Sequence, residues 1–131
     1  MSAAGRHTLS EHASKALVAR YGVPVARDVL AADPGAAARA AEEIGFPVVL
    51  KLCGDAIAHK TERGLVRVGL ADGPAVRAAA AELLALARPE DGAVELLVAE
   101  LVRGRRELLA GLVRDPQFGL CVVLGLGGIF T

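Results

Sequence analysis

Lys51 interrupts an otherwise apolar run, Phe46-Pro-Val-Val-Leu-Lys-Leu-Cys53, and an ammonium carried by a buried strand is costly unless an anion faces it. A phosphate could supply that anion, because lysine neutralises phosphate oxygens as a compact point charge. The strand opens into a loop of mixed chemistry, Gly54-Asp-Ala-Ile-Ala-His59-Lys60-Thr61-Glu-Arg-Gly64. In a loop covering a phosphate, the His59 imidazole could take a phosphoryl group as a nucleophile, with Lys60 and Thr61 offering charge and hydrogen bonds to the oxygens. A second element, Glu100-Leu-Val-Arg-Gly-Arg-Arg-Glu107, sets two carboxylates around a glycine between two strand-like runs. Backbone N–H and C=O groups at such a crossing can read the edge of an adenine, and a carboxylate accepts well from ribose hydroxyls. The two elements together point to a site for ATP or ADP.

Each residue also has a plain structural explanation. The stem of Lys51 could pack in the sheet while its head reaches water. A lone loop histidine such as His59 is commonly solvated. Glu100 and Glu107 could pair at the surface with Arg103, Arg105 and Arg106. His7 and His12 are too dispersed to form a metal set with His59 and are expected at the surface, so no metal site is assigned. Cys53 and Cys121 lie in apolar runs, match no metal or redox spacing, and are expected as buried thiols.

These residues must be positioned by a fold of mixed α and β character. Thr8-Leu-Ser-Glu11 fits a capping box opening a first helix, which Gly22 and Pro24 end. Asp33-Pro34 opens a second helix that Gly45 closes, and Asp72-Gly-Pro74 opens a third that Arg88-Pro89 stops. Strands are expected at 25–30, 46–53, 64–70, 94–101, 107–113 and 120–124. The last two should form an antiparallel hairpin across Asp115-Pro-Gln-Phe-Gly119. The character of the chain changes near residue 100, which predicts a first subdomain over 1–99 and a hinge with the start of a second over 100–131.

The 131 residues suffice for one respectable core, and 53% hydrophobic against 23% charged content describes an ordered globular chain rather than a disordered one. Zero formal charge and 3% aromatic residues leave neither an electrostatic footprint nor a stacking surface for nucleic acid. The amino terminus lacks the apolar core of a signal peptide and no run approaches a membrane span, so a cytoplasmic location with no membrane partner is expected. Gly125-Leu-Gly-Gly128 follows a strand, but Phe130 stands where a dinucleotide fingerprint would carry a third glycine, which speaks against a Rossmann site.

Phe46-Pro-Val-Val-Leu-Lys51, the His59-Lys-Thr loop, the Glu100 and Glu107 pair, and Asp115-Pro-Gln-Phe-Gly119 with Gly125-Leu-Gly-Gly-Ile-Phe130 together resemble the ATP-grasp part of ADP-forming acyl-CoA synthetases. Leu9-Ser-Glu-x-x-Ser-Lys15 and Tyr21-Gly-Val-Pro24 resemble the start of that domain, so the likeness spans nearly the whole chain. The acetate branch fits better than the succinyl-CoA synthetase β subunits, whose glycine-rich basic loop does not follow Lys51 here.

The resemblance implies an ATP-grasp first lobe with the beginning of the second. It implies the interconversion of acyl-CoA, ADP and phosphate with the free acid, CoA and ATP, through an acyl phosphate and a phosphohistidine on a separate CoA-binding part. Lys51, with Lys60 and Thr61, would hold phosphates; Glu100 and the Leu101-Val102 backbone would meet adenine; Glu107 would bind ribose; His59 would be the second phosphohistidine. A CoA-binding α-type subunit or domain would be the partner, in an oligomeric parent assembly. The family continues with acidic residues that hold magnesium, and these are not in this sequence, so a fragment, truncated product or split subunit is expected, nearly inert alone. Glu62-Arg-Gly-Leu65 replaces the family's usual Asp and paired small residues after Thr61. The competing expectation is a non-catalytic docking or regulatory module that keeps the fold.

Overall fold

The computed structural model describes residues 8–57, 62–104 and 106–127. The chain divides into two units, Met1–Leu101 and Val102–Thr131, each described by itself.

In the first unit three helices are nucleated by the same local device. Ser10, Asp33 and Asp72 each adopt extended backbone and accept through the side chain from the N–H three residues on, Ala13, Ala36 and Ala75, at 3.2, 2.8 and 2.8 Å. That satisfies an N–H that has no partner within its own helix. The helices are α1, Glu11–Ala19; α2, Pro34–Ile44; and α3, Gly73–Ala85. The cap of α1 is Ser10 rather than Thr8, so the capping box expected from Thr8 and Glu11 is not formed. Gly45 closes α2 at φ 99°, a backbone conformation that side chains disfavour.

Four strands form one sheet in the order β1-β4-β2-β3: β1 Asp28–Ala31, β2 Val48–Cys53, β3 Val66–Leu70 and β4 Glu95–Glu100. Every neighbouring pair is antiparallel. The first strand starts at Asp28, later than expected, for a reason of register. Asp28 pairs with Ala99, so Val25 would need a partner beyond Glu100, where β4 ends. An extra residue in β3 shifts its pairing with β2 between Val48 and Leu50.

Strand alternation divides the side chains of β2 cleanly. Val48, Leu50 and Leu52 face α2 and α3, joining Ala31, Leu96, Val98 and Leu83 in the core. The buried stripe Ala37, Ala38, Ala40 and Ala41 brings the backbone of α2 close to α3 and the sheet. Val49, Lys51 and Cys53 point to the opposite face.

The second unit is a two-stranded antiparallel sheet, β5 Leu108–Asp115 with β6 Gly119–Leu126. Its turn follows from Asp115, whose Oδ1 accepts from the N–H groups of Gln117 and Phe118 at 2.8 and 2.9 Å, and from Gly119 at φ 76°. Those two donors, Phe118 first, hold the Asp115 carboxyl below its ordinary pKa. Cys53 is buried as expected, but Cys121 is only partly buried, because a single ribbon shields neither of its faces. Among the described residues no helix is long and apolar enough to cross a membrane.

Candidate functional site

Lys51 does have an anionic partner, and in this structure the partner is a carboxylate of the same chain. Its Nζ donates to Glu11 Oε1 at 2.7 Å, with the two side chains 25% and 26% exposed. Lys15 Nζ stands 3.5 Å from the same Glu11 oxygen and 3.2 Å from Asp28 Oδ2, while His12 Nδ1 lies 3.0 Å from Asp28 Oδ1. Asp28 is nearly buried, and its Oδ2 meets the Lys15 charge without an aligned hydrogen bond. Lys51, Glu11, Lys15, Asp28 and His12 therefore form a relay of charges in which opposite signs alternate along the first four. His12, expected at the surface, is 37% exposed and joins this network.

The network lies on the sheet face turned away from α2 and α3. Lys51 is opposite Leu97, Leu97 is opposite Leu30, and Asp28 is opposite Ala99, which puts all of them on one side of the pleat. The first half of α1 rests half-buried there, and no residue of that helix is fully buried. Ser10 N–H adds a bond to Asp55 Oδ1 at 3.1 Å, tying the start of α1 to the loop that leaves β2.

His59, Lys60 and Thr61 lie outside the described residues. Both flanks of their loop are anchored. Ile57 is buried on the near side. On the far side Arg63 forks onto Asp91, Nη1 to Oδ1 at 2.6 Å and Nη2 to Oδ2 at 2.9 Å, and Arg88 N–H donates to Asp91 Oδ2 at 2.8 Å. Asp91 is 2% exposed, and the Arg63 guanidinium, followed by the Arg88 N–H, brings its carboxyl from 3.8 to about 2. This fork was not read from the sequence, since its partners are 28 positions apart and share no motif.

Glu100 occupies the other face of the sheet. It is opposite Val48 in the register, and its Oε2 accepts from Arg27 N–H at 3.0 Å, with the Arg27 Nε at 4.0 Å. The Arg27 guanidinium also reaches the Ile44 carbonyl at the end of α2. A shallow cleft of about 360 Å³ opens between these residues, the cis Phe46–Pro47 peptide and Leu101. The Glu100 carboxylate is thus paired with Arg27 and does not point to the side of Lys51. Val102 and Glu107 belong to the second unit, where Val102 is exposed and the Glu107 carbonyl accepts from Gly127 N–H at 3.0 Å.

The donor set on the Lys51 face suits an oxyanion, since a carboxylate oxygen already occupies hydrogen-bonding distance of the ammonium. A divalent metal has no comparable seat: among the described residues no group of three or more His, Cys, Asp or Glu gathers to hold one.

A profile described as an ATP-grasp domain matches residues 1–131. The chain is 34% identical to the β subunit of an ADP-forming acetate–CoA ligase II from Pyrococcus furiosus, over 98% of this chain and 56% of that one. Among solved structures, an acetyl-coenzyme A synthetase of Ca. Korarchaeum cryptofilum in complex with coenzyme A, Ca-AMPCP and HgCl+ superposes with a TM-score of 0.86 at 39% identity, covering 95% of this chain and 56% of that one. A second structure of that enzyme, with coenzyme A and Mg-AMPPCP and its phosphohistidine segment pointing towards the nucleotide binding site, matches with a TM-score of 0.74 at 38% identity, over 96% and 53%. The chain spans about half the length of these relatives. By profile, sequence identity and fold alike, it belongs to the ATP-grasp family.

Proposed function

We propose that this chain is the nucleotide-handling part of a cytoplasmic ADP-forming acyl-CoA synthetase, which interconverts acyl-CoA, ADP and phosphate with the free acid, CoA and ATP. The carrying observation is the Lys51 ammonium, fixed on a sheet face and already holding a carboxylate oxygen at 2.7 Å. An oxyanion of ADP or ATP takes the same place, bound through charge and up to three N–H donors. Lys60 and Thr61 extend the phosphate contacts, and the Glu100–Leu101–Val102 backbone meets adenine while Glu107 meets ribose. In this reading Glu100 acts through its main chain, its carboxylate being engaged by Arg27.

His59 carries the phosphoryl group. Its imidazole takes the phosphoryl group from the phosphohistidine of the CoA-binding part, the N–P bond there breaking as the new N–P bond forms; that bond in turn breaks as an O–P bond forms to the terminal phosphate oxygen of ADP, and each departing imidazole takes up a proton. Magnesium, when bound, supplies charge neutralisation at the transferring phosphoryl group, with ligands from outside the described residues. The CoA-binding α-type part and the rest of the second lobe complete the assembly. The relatives support this reading, being similar to this chain over 95% to 98% of its length.

Calorimetric titration with ADP and ATP, with and without the complementing polypeptide, tests it. Binding that disappears in Lys51→Ala is expected; no binding to the wild-type chain with its complement present would remove the ligase reading. Acid-labile phosphate on the wild type and none on His59→Ala is the expected outcome for the relay.

A further inference from the structure

The pairing of Lys51 with Glu11 has a consequence for how an anion gains access. We infer that Glu11 is a resident competitor for the Lys51 ammonium, and that a polyphosphate reaches Lys51 only as the first turn of α1 gives way. The inference rests on the reading of Lys51 as a phosphate-holding residue.

Three observations carry it. The 2.7 Å contact sets the Glu11 oxygen where a phosphate oxygen would stand, and two anions crowded onto one ammonium repel each other. Lys15, four residues along the same helix, lies 3.5 Å from that oxygen. On displacement the Glu11 carboxylate therefore keeps a cation on its own helix and is not itself left without a counter-charge. Finally, α1 fully buries none of its residues, and Leu17 and Tyr21 remain exposed, so little apolar packing opposes a shift of the helix. Exchange of one anion for another at Lys51 thereby couples ligand entry to the position of α1.

The test titrates ADP and inorganic tripolyphosphate into the full chain, its Glu11→Gln variant and its Lys51→Met variant, each with the complementing polypeptide present, and follows amide hydrogen exchange in α1. Affinity about tenfold higher in Glu11→Gln is expected, within the usual 5- to 150-fold range of coupled sites. Loss of binding in Lys51→Met should accompany it. Without ligand, the α1 amides should exchange several-fold faster in both variants than in the wild type. Binding to the wild type that is lost in Lys51→Met but unchanged or weaker in Glu11→Gln would overturn the competition and leave the phosphate reading standing. Binding retained in Lys51→Met, or absent from all three proteins, would overturn both.

Discussion

Replacing Lys51 by methionine removes the ammonium while keeping an unbranched stem, and replacing Glu11 by glutamine removes the facing charge, so the two changes and their combination form a double-mutant cycle. The contact is 2.7 Å and each side chain is about one quarter exposed. Fully exposed ion pairs couple by about 0.2–1 kcal/mol. Hydrogen bonds to charged groups contribute about 1.5–3 kcal/mol when sheltered. The short, mostly shielded geometry places this pair between those cases, and Lys15, 3.5 Å from the same oxygen, recovers part of what the Lys51 variant loses. A coupling of about 1–1.5 kcal/mol is therefore expected. Urea denaturation of the four proteins, followed by circular dichroism, measures it. A tenfold rise in salt should leave most of the coupling in place, since partly buried pairs are screened much less than exposed ones. A coupling below about 0.3 kcal/mol, within the error of additivity, would show that the pair does not hold α1 to the sheet.

Leu50 sits fully buried between the sheet and the helices, and Leu50→Ala should cost about 2–5 kcal/mol, read as a lowered denaturation midpoint with an unchanged slope. At Gly54 an added Cβ would lie 2.9 Å from the Ala93 carbonyl oxygen, which no side-chain rotation can relieve; Gly54→Ala should destabilise by about 1–3 kcal/mol, whereas an undisturbed melting temperature would disprove the close approach. Asp91 is held at about 2 in the folded chain against 3.8 ordinarily, so its stabilising effect is complete above the ordinary value and disappears as pH falls from there toward 2. Asp91→Asn should accordingly flatten the acid limb of the stability profile in that window, and an unaltered limb would contradict the Arg63 fork.

The elements set by neighbours in the chain were the legible ones. Asp33 and Asp72 announced their helices because an N-cap works over three residues, and Asp115 with Gly119 announced the hairpin because a turn is closed locally. The start of β1 was not legible, since it depends on where β4 stops in a register no local pattern encodes. Within the site, the apolar surroundings of Lys51 required a counter-charge, which the structure provides. That Glu11 would provide it could not be read, because the partners are 40 positions apart and meet only once α1 lies over the sheet. The same holds for Arg27 with Glu100, 73 positions apart. Strand alternation could have separated Lys51 from the Glu100 carboxylate in advance, had the pairing of Val48 with Glu100 been known.

The central claim is that Lys51 is a phosphate-holding cation. A crystal structure of the chain with ADP, together with its complementing polypeptide, tests it most directly. A phosphate oxygen at about 2.7–2.9 Å from the Lys51 Nζ is the expected result. An ordered nucleotide with its phosphates elsewhere, and Lys51 still bonded only to Glu11, would contradict it.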